Sequence, residues 1–391
     1  MDTSELLPFT CTFVGFEREA RIWVWSPNRC DLDIGKPTLF GWRFSLTKLL
    51  TELNVAFKVP PIRFTPFPPG DEHNFCVKFL DGSERIVTLP KSDWVDRFGN
   101  DRYNLVCEHL TSVHVATYTG IPVRRPLLYH ADLGNKIGTS FLVSEHVAGV
   151  TLHQAWPTMT LLQRTAVIRS IGIVWGQLLH LRLPNIGRFT QNASSDKPTI
   201  GPMYLPNAAG ECGPFFNMKD WLVEVARGSL RPESTGTRTA KQQNQVDIVV
   251  HKLLHGSPAL EDEDSAISKL NVFVLFHPQL DARHILVDSA DPTTIRAVIG
   301  WHHACALPLS SIVLPHLSLP GCNDAAYGMY LDVINNQIAR EVPVWGLRHM
   351  EGGKTAEHFS QVHRLHRLAK HSDKWRELGL ADIVHDSPIL P

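Results

Sequence analysis

The hydrophobic period of this chain changes along its length, and that change limits the folds open to it. Two β-rich runs, residues 75–80 and 85–89, flank Asp81-Gly82, a dipeptide that supplies the backbone conformations of a tight hairpin turn. A strand-like run at 140–144 follows a helical stretch at about 101–117, so the first third reads strand, strand, helix, strand. From Leu161 to Leu181 the pattern is different, because Leu162, Val167, Ile171, Val174, Leu178 and Leu179 recur at helical spacing. Further helices are expected at 44–53, 218–227 and 244–254, and short β-rich runs at 272–275, 285–287 and 295–299. Strands early and helices later imply an α+β protein of two lobes.

Composition narrows what such a protein does. Of 391 residues, 43% are hydrophobic and 20% charged, which supports a sizeable core and excludes a disordered chain. Lys and Arg total 38 against 39 Asp and Glu, so no general basic surface invites nucleic acid or an anionic membrane. The seven cysteines are spread out with no Cys-x-x-Cys, which reads as reduced thiols in a cytoplasmic protein. No apolar run approaches the ~18 residues of a membrane span, and the N-terminus lacks the pattern of a secretory signal. The loop at about 229–241 is polar and carries Gly and Pro, as an exposed connection does.

Several blocks occur in an order that resembles the aminoglycoside phosphotransferase and choline kinase-like family, in the form found in filamentous fungi. They are Glu108 ahead of Thr119-Gly120-Ile121-Pro122-Val123, the stretch 141–152, the stretch 179–187, Gly213-Pro214-Phe215-Phe216 with Trp221, the stretch 273–288, and 298–301. The resemblance implies a two-lobed protein-kinase-like fold, with a small β-rich N-lobe and a larger, mainly helical C-lobe. It divides the chain into an N-terminal extension (1–60), an N-lobe (61–143) and a C-lobe (144–391), the last holding a catalytic loop at 277–288 and a metal segment at 298–301. In such a family ATP and Mg²⁺ are the cofactors, and Ser144, Glu145 and His146 fall at the hinge that holds the nucleotide.

The chemistry implied by the resemblance is altered at the residues that would carry it. Phosphoryl transfer needs a carboxylate to orient the acceptor hydroxyl, and an Asn and an Asp to hold Mg²⁺. The family pattern His-x-Asp-x-x-x-x-Asn is matched here by His277, with Gln279 at the carboxylate position and His284 at the Asn position. The family's Ile-Asp-Trp is Ile299-Gly300-Trp301, so no metal ligand is expected on either side. Thr88 stands where a basic residue would pair with Glu108, leaving Lys78, Arg85 and Lys91 as substitutes. The turn from Phe67 to Asn74 holds one glycine, with Asp71 and Glu72 beside it, a poor cradle for a triphosphate. The expectation is a pseudokinase that binds a small molecule and has possible protein partners. Two alternatives are an active hydroxyl kinase with Asp281 as base, and a repurposed catalyst using His277, Asp281 or His284. His277, His284, His302 and His303 read as ordinary buried or loop histidines rather than a metal site. At 359–371 a helix with an apolar stripe carries a basic remainder, including His366, Arg367 and Lys370.

Overall fold

The computed structural model describes residues 23–24, 46–67, 73–89, 101–131, 135–191, 198–205, 211–229, 240–255, 272–348 and 353–370. The chain forms two compact units, Met1–Val113 with Val123–Ala148, and His114–Pro122 with Gly149–Pro391.

The first unit is an antiparallel sheet. Its strands are β1 (Trp23–Val24), β2 (Pro61–Pro66), β3 (His73–Phe79), β4 (Glu84–Leu89), β5 (Pro126–His130) and β6 (Phe141–Glu145), in the order β1-β2-β3-β4-β6-β5. Asp81 closes the β3–β4 turn, accepting from the Ser83 N–H and hydroxyl, while Gly82 takes φ +83°, a conformation that costs glycine little. The pleat sends Phe75, Val77 and Phe79 to one face and Asn74, Cys76 and Lys78 to the other. On the apolar face α1 (Leu46–Phe57) contributes Leu49 and Leu53, both fully buried, to a core with Phe64, Phe75, Val87, Phe141 and Val143. Each such leucine contributes about 1.5–3 kcal/mol by leaving water. α1 therefore belongs to the sheet unit's core, although the sequence places it in an extension ending at residue 60. The division between units also falls after Ala148 rather than after 143, and residues 114–122 join the second unit.

α2 (Asp101–Tyr118) leads into the second unit, whose long elements are helices and whose strands are short. They are β7 (Val150–Thr151), α3 (Leu152–Ala155), α4 (Leu161–His180), β8 (Arg182–Leu183), β9 (Arg188–Gln191), β10 (Pro198–Gly201), β11 (Met203–Tyr204), β12 (Glu211–Cys212), α5 (Met218–Ser229) and α6 (Ala240–His255). β13 (Phe273–Phe276), β14 (Ile285–Val287), β15 (Ile295–Val298), β16 (Cys305–Pro308), α7 (Asp324–Glu341), α8 (Pro343–Leu347) and α9 (Lys354–Lys370) follow. Thr160 and Gln163 cap α4 reciprocally, the Thr hydroxyl taking the Gln163 N–H and the Gln side chain taking the Thr160 N–H. α4 and α7 approach closely because Gly172 and Gly176 face Gln337 and Glu341. A methyl on Gly172 would lie 2.7 Å from Gln337 Cβ. Two small sheets, β16-β13-β8 and β15-β14-β7, bracket one loop, Phe276 to Ile285, and fix both of its ends. No described helix is long and apolar enough to cross a membrane. The loop read at 230–239 lies outside the described residues, as do Lys91 and residues 68–72 of the glycine turn.

Candidate functional site

His277 opens the loop from a fully buried position. Its Nε2 lies 3.1 Å from the Ile299 carbonyl, and its Nδ1 accepts the Gln279 N–H at 3.3 Å, so the ring is a neutral imidazole with the proton on Nε2. Burial, reinforced by His284, pushes its pKa down to about 3. The ring packs on Trp301, with centroids 4.7 Å apart. Gln279 is half-buried, and its Oε1 is enclosed without a hydrogen-bond partner. An amide there cannot accept a proton from an alcohol.

Asp281 organises the rest of the turn. Its Oδ1 accepts the Arg283 N–H at 2.8 Å and faces His284 Nδ1 at 2.9 Å, while Oδ2 accepts from the Arg283 guanidinium, including Nε at 2.9 Å. Burial alone would raise this carboxyl, but the hydrogen bonds from His284 and Arg283 outweigh it and hold the pKa well below the usual carboxylate range. A carboxylate held this way is a weak base. The turn is clamped from outside as well, since the Ala282 carbonyl accepts the His153 N–H at the start of α3 and the Ala282 N–H donates to Leu317.

His284 and Gly300 face each other. Ile299 N–H donates to the His284 carbonyl at 2.9 Å, which brings the two segments alongside, and Gly300 adopts φ +80°. A Cβ on residue 300 would stand 2.5 Å from His284 Cδ2 and 3.1 Å from its Nε2. The imidazole thus fills the space that a side chain at 300 would need. Magnesium prefers oxygen donors in octahedral array, and neither position supplies one. These residues do not fit a catalytic Mg²⁺.

His302 is buried and His303 half-buried, with ring centroids 4.2 Å apart. Burial, then the neighbouring His303, lowers the His302 pKa well below its ordinary value. Among the described residues none of the four histidines belongs to a group of three or more metal-ligating side chains. His303 instead lines a cavity of about 620 Å³ in the helical unit, within the range of small-molecule sites. Phe276, Trp221 and Leu307 supply apolar wall, Pro278 links the cavity to the loop, and every ionisable lining residue with a net charge or basic nitrogen is a base: Arg188, His303, His366, Arg367 and Lys370. The last three come from α9, the basic helix singled out in the sequence. Arg188 and the β9 hairpin carried no recognisable signal.

The sheet unit holds the remaining site residues. Thr88 is buried and donates to Asn74 Oδ1 at 2.6 Å. Glu108 is half-buried on α2. Arg85 lies over Phe57 and Phe79 at 5.4 and 5.7 Å, on the apolar face, so it does not replace a basic residue at position 88. Ser144 is buried opposite Ile86, Glu145 pairs with Arg125 at 2.6 Å, and His146 Nδ1 sits 3.0 Å from Glu84 Oε2.

No family model matches this sequence, and no curated protein matches it. Structural neighbours include aminoglycoside and macrolide phosphotransferases. A thermostable mutant of aminoglycoside phosphotransferase APH(4)-Ia shares 14% identity, with 86% of this chain and 94% of that one covered and a TM-score of 0.43. The aminoglycoside-3'-phosphotransferase of type VIII shares 16%, covering 82% and 98%, with a TM-score of 0.43. The macrolide 2'-phosphotransferase MphH from Brachybacterium faecium shares 14%, covering 88% and 100%, with a TM-score of 0.42. A fold hosts many activities, so function is read from the side chains.

Proposed function

We propose that this chain is a phosphotransferase-like protein that does not carry out Mg-ATP phosphotransfer and acts as a small-molecule-binding protein. The observation that carries the reading is the His284–Gly300 contact, in which one imaginary Cβ at 300 would lie 2.5 Å from the ring. Both positions at which the resembling family holds metal are then spent on each other. Gln279 in place of the carboxylate and the hydrogen-bonded Asp281 point the same way, because neither is a competent base at neutral pH. The cavity of about 620 Å³ is the site for the small molecule. Its apolar wall and basic lining favour a neutral or anionic ligand with an apolar body, and disfavour a polycation.

The test is nucleotide binding by thermal shift and calorimetry, with and without Mg²⁺, beside a coupled assay for ATP hydrolysis. A nucleotide bound at ~100 times its Kd would stabilise the protein by ~2.7 kcal/mol. We expect no magnesium-dependent shift and no turnover. Magnesium-dependent binding accompanied by ATP consumption would overturn the reading.

A further inference from the structure

Away from the loop, the polar face of the sheet brings together three side chains of different chemistry. Arg85 of β4 is in register with Glu145 of β6, which sets Glu84 beside His146 just past the end of β6. Lys78 of β3 is in register with Glu84, so Cys76, two residues along the same face of β3, is the diagonal neighbour of Glu84. Val77, Val87 and Val143 point the opposite way into the core. Strand alternation thus delivers a thiol, a carboxylate and an imidazole to one side of three adjacent strands.

We propose that Cys76, Glu84 and His146 form a binding site for one borderline-soft divalent metal ion of the zinc type. One ligand atom from each lies within 4.8 Å of the others, and the His146 Nδ1 to Glu84 Oε2 separation is 3.0 Å. Zinc binds sulfur at ~2.3 Å and nitrogen or oxygen at ~2.0–2.2 Å. Donors on a tetrahedron of that size stand roughly 3.3–3.7 Å apart, so changes in separation of no more than about 1.5 Å close the site. The donor set chooses the metal: a thiolate with an imidazole suits zinc, whereas Mg²⁺ and Ca²⁺ want oxygen. Three protein ligands leave a fourth position for water or an external ligand, and the exposed His146 gives an ion a way in.

In the metal-free protein the half-buried thiol is pushed up by burial and then by Glu84, against the pull of Arg63, Arg124 and Lys78. Binding therefore releases the Cys76 proton to solvent as the metal–sulfur bond forms. The ion would link β3, β4 and the end of β6, and its effect would be stabilisation of the sheet unit. This site stands independently of whether the loop in the helical unit transfers phosphate.

The experiment uses the full chain, stripped of metal by a chelator and titrated with Co²⁺. The expected result is one equivalent bound, with a thiolate-to-cobalt charge-transfer band and the intense visible bands of a four-coordinate ion, both displaced by Zn²⁺. Cys76→Ser is expected to abolish the charge-transfer band. His146→Ala and Glu84→Gln should each weaken binding at least ~10-fold, the loss typical of removing even an outer support of a metal ligand. Cys212→Ser and Cys322→Ser, at the other half-buried thiols among the described residues, should leave the spectrum unchanged. No thiolate band in the unsubstituted protein, or one that survives Cys76→Ser, overturns the proposal. Because His146 is exposed, His146→Ala retains the fold and reads the same question should Cys76→Ser fail to fold.

Discussion

Among the described residues, each unit pairs a carboxylate with an imidazole at nearly the same distance, Glu84–His146 at 3.0 Å and Asp281–His284 at 2.9 Å. The pairs differ in everything around them. Asp281 is 7% exposed at its side chain, and a backbone amide and a guanidinium use its remaining lone pairs. Glu84 is 35% exposed, His146 is 31% exposed, and their nearest reactive neighbour is a thiol. The same two functional groups therefore make a structural clamp in one unit and an open donor set in the other. Distance alone does not assign a role; burial and the third partner do.

The largest expected effect is on acidification, and it would separate the two regions. His277 has its pKa lowered to about 3 from an ordinary value near 6.5, so the unfolded chain takes up a proton that the folded one refuses. Its contribution is fully present above pH ~6.5 and is lost as pH falls towards 3. At ~1.4 kcal/mol per unit it reaches up to about 5 kcal/mol. His302 and His363, also lowered by burial, act in the same direction. Urea melts from pH 7 to pH 4 should show this loss, and His277→Gln should flatten it. An unchanged acid limb in that variant would remove His277 as its cause.

Next in size is Asp281→Asn, which strips the clamp of its charge. We expect a loss of about 2–4 kcal/mol in equilibrium unfolding, because the amide keeps one acceptor oxygen where the carboxylate had two, so either the Arg283 guanidinium or the His284–Arg283 N–H pair faces an NH2 group. Smaller again is Gly300→Asp, expected to cost about 1–3 kcal/mol from overpacking against His284. With His284→Asn in the same chain that cost should shrink by at least ~1 kcal/mol, a coupling that a double-mutant cycle measures. Additive effects would mean the two positions do not share space. The smallest effect belongs to the open pair: Glu84→Gln in metal-free protein should change stability by no more than ~0.5 kcal/mol. A loss comparable to that of Asp281→Asn would erase the contrast.

Much of the fold was legible where periodicity was strong. The hairpin around Asp81-Gly82 and the 20-residue α4 are found where the sequence puts them, because turn chemistry and a repeated apolar stripe are local signals. α7 gives a weaker signal, since only Tyr330, Ile334 and Ile338 are buried along 18 residues, and its close packing depends on glycines of α4 far away in sequence. α1 was recognisable as a helix but not as part of the sheet's core, which depends on which face Leu49 and Leu53 cover after the chain bends at Lys58, φ +56°. At the site, the identities of Gln279, His284 and Gly300 could be read from the resemblance, but their contact could not. The Cys76–Glu84–His146 group was hidden for a related reason. Cys76 and Glu84 sit across a recognisable hairpin, yet His146 joins them only through the β4–β6 register, which no local motif encodes.

The fit of His284 against Gly300 also makes the order of substitutions at the two positions matter. An aspartate placed at 300 meets the ring while His284 is present, whereas replacing His284 first clears that space. The hindrance runs one way, because Gly300 carries no side chain that could oppose a change at 284. The contact is a one-sided lock: the imidazole holds the space above residue 300, and the glycine leaves residue 284 free to change.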